Sequence, residues 1–342
     1  MHMKDVAVVI LNWNGVDFLK QFLGKVVKYS GEARIIVADN ASTDDSISYL
    51  KENFPQVELL LHQQNGGFAK GYNDALKQVK SKFYLLLNSD VEVTPNWLEP
   101  LVTCMKGESI SGCQPKVLAH HNKETFEHAG ASGGFIDKNY FPFCRGRLFN
   151  EVEKDNGQYD DPMEIFWATG AAMMIRSEVF HECGGFDEDF FAHMEEIDLC
   201  WRVKKRGGKF MVAPQSKVYH VGGGSLSYSS PRKTYLNFRN NLVMILKNHE
   251  GIWFPKLFWR MALDGVASVK FLLTGQFANF WAVFKSHMYI YFNLGKILKK
   301  RKEVKKSSTT FNYSGLYAGN IIWNLYGKGV KRFSDLNQRL FK

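Results

Sequence analysis

Up to about residue 107 the chain alternates between short apolar runs and longer segments with helical spacing, and no other feature constrains the fold as strongly. The runs "VAVVILNW", "ARIIVADN", "VELLLH" and "FYLLLNSD" are rich in Val, Ile and Leu. Between them lie "GVDFLKQFLGKVVKYS", "TDDSISYLKENF" and "GGFAKGYNDALKQVK", whose apolar residues recur at helical intervals. The order is β-α-β-α-β-α-β. Runs that are apolar at nearly every position predict strands buried on both faces. An α/β fold follows, with a mostly parallel sheet covered by helices and ligands at the C-terminal ends of its strands. Polar residues gather at those ends: Asn12 to Asn14, Asp39 and Asn40, His62 to Gly67, and Asn88 to Asp90.

With 342 residues, 45% of them hydrophobic, the chain can bury a sizeable core. Its five cysteines are scattered and form no CxxC pair, so neither a disulfide framework nor a zinc knuckle is suggested, and a reducing cytoplasm fits best. The N-terminus "MHMKDVAVVILNWNG" reads as a strand and not as a signal peptide. Charge is divided unevenly: residues 201–342 hold 26 Lys+Arg against 4 Asp+Glu, and the first 200 hold 18 against 30. A basic C-terminal part points to an anionic partner.

The run "YLLLNSDVEV" ends on Asn88, Ser89 and Asp90. A carboxylate at the C-terminal edge of a central strand suits a divalent cation, which prefers oxygen ligands and can bridge nucleotide phosphates. Taken alone, the same residues also suit a turn before Pro95 that caps the helix "NWLEPLVTCM". In "NGGFAKG" the glycines Gly66 and Gly67 after Asn65 allow close backbone approach, and the helix N-terminus that follows favours an anion. Lys70 could add charge there or stand solvated. The single glycine in "LNWNGVDFLK" does not meet the GxGxxG that a nicotinamide oxidoreductase requires.

Seven segments in order, "VVILNWNG", "IIVADNASTDDS", "NGGFAKGYNDAL", "YLLLNSDVEV", "FWATGAAMMIRSEVF", "GGFDEDFFAHMEEIDLCWRVKKRG" and "HVGGGSL", resemble the family 2 glycosyltransferases of GT-A fold, especially their rhamnosyltransferase-like branch. The resemblance covers about residues 4 to 248. It implies a metal-dependent, inverting transfer of a sugar from a nucleotide-diphosphate donor, UDP or dTDP being favoured, to a glycan or lipid-linked acceptor in bacterial surface polysaccharide synthesis. By the same resemblance Leu11, Asn12, Asn14, Asp39, Asn65, Gly66, Gly67, Lys70, Asn88 and Ser89 fall on the donor side. Thr169 and Gly170 line the donor sugar and acceptor. Asn88-Ser89-Asp90 matches the DxD element with Asn in first place, which leaves Asp90 as the principal acidic ligand for Mn²⁺ or Mg²⁺. His220 matches a histidine beside the metal and diphosphate, and the glycines at 222–224 suit a loop closing over phosphates. In "MEEIDLCWRV" the general base is Glu196, with Glu195 the alternate, while Asp198 and Arg202 read as an i,i+4 salt bridge. Arg145 and Arg147 read as surface arginines. A sugar nucleotidyltransferase shares the sheet and metal logic, and a non-catalytic membrane- or nucleic-acid-binding protein would explain only the basic tail.

The expected division is a catalytic unit over residues 1–248 and a helical, aromatic-rich, basic region over 249–342. Asp264, Lys270 and Lys285 interrupt the apolar stretch, so no uninterrupted transmembrane span is present. Two alternatives stand for this region. One is amphipathic helices on the inner face of the cell membrane, with the basic run at 299–306 drawn to anionic lipid. The other is a subdomain packed on the core or on a second copy of the chain. A nucleic-acid partner is not expected.

Overall fold

The computed structural model describes residues 2–222 and 230–342. The strands are β1 (Val6–Asn12), β2 (Arg34–Asp39), β3 (Glu58–Leu61), β4 (Phe83–Asn88), β5 (Val91–Val93), β6 (Ile110–Ala119), β7 (Gly134–Asp137), β8 (Pro142–Cys144), β9 (Arg147–Leu148), β10 (Glu151–Val152), β11 (Met163–Ile165), β12 (Ala172–Arg176), β13 (Lys209–His220) and β14 (Leu316–Tyr317). The helices are α1 (Val16–Phe18), α2 (Gly24–Tyr29), α3 (Ser46–Asn53), α4 (Gly67–Leu76), α5 (Leu98–Cys104), α6 (Ser177–Glu182), α7 (Glu195–Lys204), α8 (Pro231–Asn248), α9 (Trp253–Leu273) and α10 (Phe277–Ser307).

The main sheet runs β11-β13-β6-β12-β4-β1-β2-β3, with β5 paired to β13. Strands β4, β1, β2 and β3 are parallel to one another, as the apolar runs predict. The register aligns Asn12 with Asp39, Leu11 with Asn88, and Asp39 with Leu61. Parallel pairing therefore brings the polar strand ends to one edge. Val6 to Val9 and Leu85 to Leu87 are fully buried, so β1 and β4 are covered on both faces. The run "VELLLH" differs: β3 is the edge strand of the sheet, with Glu58 and Leu61 exposed. Beyond β4 the sheet turns mixed, because β12 inserts antiparallel between β4 and β6.

A second sheet, β10-β9-β8-β7-β14, occupies the stretch between β6 and β11 and draws its last strand from near the C-terminus. Residues 309–342 thus return to the first part of the chain. Arg145 lies in this region and is not a surface residue: it is 3% exposed, with its guanidinium on Asp161 and the Tyr159 carbonyl, because the short strands around it bury the whole turn. Arg147 donates to the Phe149 carbonyl.

Helices α8, α9 and α10 pack on one another, and ion pairs bind them to the first part. Asp198 is fully buried and accepts from Arg202 Nε at 2.8 Å, Lys247 Nζ at 2.8 Å and Asn248 Nδ2 at 2.7 Å. The expected Asp198–Arg202 pair is thus present, but it lies in the core and extends into α8. Asp187 accepts from Lys247 Nζ at 2.7 Å and from Lys300 of α10.

Candidate active site

The strand-end residues form connected groups. Asp39 Oδ2 accepts from Asn12 Nδ2 at 3.0 Å and Ser42 Oγ at 2.7 Å, and its Oδ1 accepts from the Ser42 amide at 2.8 Å. Asn14, in the left-handed region at φ 49°, accepts from the Thr43 amide at 2.7 Å. These bonds fold the loop after β2 over the end of β1. Trp13, between the two asparagines, is 47% exposed, an aromatic face beside the strand ends that sequence reading passed over. Leu11 packs its side chain against α4, where a Cβ on Gly71 would come within 2.9 Å of Leu11 Cδ1.

The expected anion cradle at the start of α4 is taken up inside the fold. The Gly67 amide donates to Asn65 Oδ1 at 2.8 Å and the Phe68 amide to the Phe191 carbonyl at 2.7 Å. Gly67 has φ 76°, and a Cβ there would stand 2.6 Å from the Phe191 carbonyl oxygen, so glycine serves a close approach of two backbone segments. Lys70 pairs with Asp74 at 2.7 Å and lies 4.0 Å from Glu188, which spends its charge on the protein itself.

Asp90 does not cap the following helix: β5 intervenes, and α5 begins after Trp97 with no side-chain cap. Antiparallel pairing of β5 with β13 sets Val91 opposite His220 and so brings Asp90 to that imidazole. Asp90 Oδ1 is 3.2 Å from His220 Nε2, and Glu127 Oε2 is 3.1 Å from Nδ1 on the other side of the ring. All three side chains are buried. Burial opposes a charge on His220, yet Asp90 and Glu127 outweigh it and push its pKa up to about 10. Burial would likewise raise Glu127, but the His220 contact holds it down to about 2.

Two ligands of one small divalent ion, each about 2.1 Å from it, stand about 3 Å apart at right angles. The Asp90–His220 separation meets that condition, and a carboxylate with an imidazole is an acceptable donor set for Mn²⁺. Glu127 stands 3.1 Å from Nδ1, where an outer carboxylate would orient the ring; a metal at Nε2 would displace the proton that Asp90 otherwise favours there. Among the described residues no group of three or more His, Cys, Asp or Glu could hold an ion, so further ligands would come from solvent or substrate. Glu127 was not foreseen; an acid between Phe126 and the small residues Ala129 to Gly134 was its only local sign. Of the 222–224 glycines, Gly223 and Gly224 lie outside the described residues.

Glu195 and Glu196 open α7, after a turn in which Phe191, His193 and Met194 all have positive φ (64°, 70° and 71°). Three residues in sparsely populated conformations need support from their surroundings. Asn240 of α8 supplies it, donating from Nδ2 to the carbonyls of Phe190, Ala192 and His193 at 2.7–3.0 Å. Sequence reading missed Asn240, whose role exists only once α8 docks. Burial pushes Glu196 up to about 7. Burial and then the Glu196 charge push Glu195 well above the usual carboxylate range. Each has an Oε2 with no hydrogen-bond partner. Glu195 is 4% exposed, whereas Glu196 is partly exposed with its unpartnered Oε2 buried, and its Cβ lies 3.7 Å from where Gly170 would carry its own. Thr169 Oγ1 accepts from the Ala171 amide, and the Ala171 carbonyl accepts from the Asn88 amide at 3.0 Å. The Thr169-Gly170 segment therefore connects the β4 end to Glu196. Ser89 borders Gly15 on the other side, 3.4 Å from where a Cβ there would stand.

A parallel run of strands with its polar ends at one edge, continued by a mixed part and flanked by helices, is the GT-A fold of nucleotide-sugar glycosyltransferases. Residues 7–184 match Glycosyl transferase family 2, and the chain belongs to that family. Over 255 residues it is 24% identical to the low-salt glycan biosynthesis hexosyltransferase Agl10 of Haloferax volcanii, covering 70% of this chain and 75% of that protein. It is 21% identical over 276 residues to the N-acetylglucosaminyl-diphospho-decaprenol L-rhamnosyltransferase of Mycobacterium tuberculosis, covering 76% and 90%. The fold is similar to that of GalNAc-T7 solved with UDP, GalNAc and Mn²⁺ (TM-score 0.55, 20% identity, 71% of this chain and 47% of that one). It is also similar to the Pyrobaculum calidifontis mannosyltransferase PcManGT solved with GDP-Man and Mn²⁺ (TM-score 0.51, 13% identity, 95% and 88%).

Proposed function

We propose that this glycosyltransferase inverts the anomeric centre as it moves a sugar, hexose or rhamnose, from a nucleoside diphosphate to a hydroxyl of a glycan or lipid-linked acceptor in bacterial surface polysaccharide synthesis. The observation that carries this reading is Glu196: a carboxylate at a helix start, with one oxygen unpartnered and its pKa raised to about 7 by burial. Such a group takes up a proton near neutral pH without being permanently charged. The acceptor oxygen attacks the anomeric carbon while Glu196 accepts its proton. The bond from that carbon to the diphosphate oxygen breaks on the opposite face, and the nucleoside diphosphate leaves with the electron pair.

Asp90 and His220 would hold a divalent ion, Mn²⁺ or Mg²⁺, that neutralises the leaving diphosphate. Glu127 orients His220, and Asn240 fixes the turn that carries Glu196. The Asn12–Asp39–Ser42 group with exposed Trp13 forms the nucleoside end, where an indole face suits stacking on a base. UDP and dTDP are the favoured donors, and the diphospho-decaprenol in the name of the mycobacterial relative supports a lipid-linked acceptor as the second substrate. In this reading residues 1–248 form the catalytic unit, residues 249–342 are its helical attachment, and the enzyme works at the cytoplasmic face of the membrane.

The test is purified protein with UDP-, dTDP- and GDP-sugars, with and without Mn²⁺, followed by release of nucleoside diphosphate and by the NMR coupling at the new anomeric centre. Release from none of the donors, or retention of configuration, refutes the proposal.

A further inference from the structure

Helix α9 has its polar and apolar faces reversed relative to a helix packed on a water-soluble core. Its inward residues include Arg260, Asp264 and Ser268, of which Asp264 is 1% exposed. Arg260 Nε donates to Asp264 Oδ1 at 3.0 Å, its Nη1 donates to Asn241 of α8, and His287 Nε2 of α10 stands 3.8 Å from Asp264 Oδ2. The outward face carries Phe254, Phe258, Val266, Val269 and Leu273, with Phe258 at 66% and Leu273 at 82% exposed.

Helix α10 continues this surface. Phe277, Trp281, Lys285, Phe292, Lys299 and Lys302 fall at helical intervals along one stripe and are all exposed. Phe277 and Trp281 occupy its first end and Lys299 and Lys302 its last, with Lys285 and Phe292 between them. The stripe is about 40 Å long at 1.5 Å per residue. Part of the basic run at 299–306 turns inward: Lys300 pairs with Asp187 and Asp189, and Arg301 donates to the Leu246 and Gly251 carbonyls.

An apolar face of this extent on a folded chain marks a surface with a partner. We propose that the outward face of the α9–α10 hairpin docks on an anionic lipid bilayer, lying in the interface with its aromatic half sunk among the acyl chains. Charge selects this occupant over a second copy of the chain. Across α9 and α10 eleven Lys+Arg stand against two acids, Asp264, which is buried inward, and Glu303, which is exposed beside Lys302, so two such faces would meet with like charge in large excess. Anionic headgroups complement Lys270, Lys285, Lys299 and Lys302, and Trp259 and Trp281 suit the depth at which indoles partition. No helix among the described residues is long and apolar enough to cross a membrane, which agrees with a surface-lying hairpin.

The docking also has a consequence for the site. Asn279, at the apolar end of α10, accepts from Thr234 Oγ1 at 2.9 Å near the start of α8. Two residues before Thr234, Arg232 stacks over the Phe191 ring, 5.1 Å from its centre, in the turn that leads to Glu195 and Glu196. The end of the hairpin that would sink deepest is thus the end beside the turn that leads to Glu196. This second step rests on the catalytic reading above; the docking itself does not.

The test uses full-length protein co-sedimented with phosphatidylcholine vesicles with and without phosphatidylglycerol, at low and high salt. Binding is expected to anionic vesicles, weakly to neutral ones, and less at high salt. Trp281→Ser with Phe277→Ser should reduce binding at both salt levels. Lys285→Gln and Lys299→Gln should each weaken it about fivefold at low salt only. A thermal shift with donor nucleotide, unchanged in these variants, shows that fold and donor site are intact and separates failure of docking from failure of the catalytic reading. Absence of binding to anionic vesicles at low salt overturns the proposal. So does a concentration-dependent dimer in sedimentation velocity that Trp281→Ser dissociates.

Discussion

At the strand ends, apolar side chains are buried in the sheet and polar ones meet along one edge; on α9 an ion pair is buried and the phenylalanines face out. Both regions follow one rule, that each side chain faces the medium that satisfies it, and they differ in the medium. Asp39 is buried and held by Asn12 and Ser42, Asp90 is buried beside His220, and Glu196 is partly exposed. Arg260 is held by Asp264 Oδ1 and Asn241 on the inner side, while Asp264 Oδ2 has no hydrogen-bond partner, and the outer face of α9 has no polar group to present over most of its length. A helix of that kind gains nothing from water and about 25 cal/mol for each Å² of apolar surface that is covered.

The sharpest test of the catalytic side is Glu196→Gln, which keeps shape and hydrogen bonding but cannot accept a proton. Turnover should fall by roughly two to four orders of magnitude, with donor affinity nearly unchanged in calorimetry. Glu195→Gln should cost far less; the reverse pattern would move the base to Glu195.

The seam between the two regions should be nearly as sensitive. Asp198→Ala leaves Lys247 and Arg202 buried without their shared carboxylate, and urea unfolding should show a loss of about 3–5 kcal/mol. A loss under about 1 kcal/mol would mean that the helices are held by packing alone.

At the proposed metal pair, Asp90→Ala should abolish the Mn²⁺ dependence of nucleotide-sugar binding and leave the circular dichroism spectrum unchanged. Glu127→Gln, which touches His220 only from behind, should weaken Mn²⁺ binding by roughly 10- to 100-fold as read by electron paramagnetic resonance of the free ion. Equal effects of the two variants would place Glu127 on the metal itself.

The smallest effect is in pH. Burial raises Glu196 to about 7, and the base works only when ionised, so turnover should fall about tenfold per pH unit below that point and level off above it. Stability runs the other way. With its folded pKa raised, the group's contribution is fully present below the unfolded carboxylate value and is lost as pH rises toward 7. A rate profile flat from pH 5 to 8 would exclude Glu196 as the titrating base.

Much of the catalytic half was legible in the sequence because its signals are local. An apolar run followed by Asn, Asp or Gly reads as a buried strand and its C-terminal end, and parallel register then carries Asn12, Asp39 and Asn88 to one edge. The stretch from residue 111 to 165 was not legible, since strands as short as β9 and β10 have no room for a period, and Arg145 passed for a surface residue until those strands enclosed it. The glycines before α4 promised an anion cradle, and the Phe191 carbonyl fills it instead.

By itself, the sequence determined the alternating α/β order, the acids and asparagines at the strand ends, the Glu195-Glu196 pair at a helix start and the basic, aromatic character of the last third, because each is written in neighbouring residues. Only the tertiary structure decided what those residues meet. The β5–β13 pairing joins Asp90 to His220, 130 positions apart, and the loop after β6, held by the Glu127 amide on the Val117 carbonyl, adds Glu127 behind it. The docking of α8 puts Asn240 on the turn of Glu196 and Lys247 on Asp198, and the hairpin decides which face of α9 looks out. Periodicity fixes which residues of a helix share a face, but which face is covered depends on partners far away in the chain, and no local pattern encodes that choice.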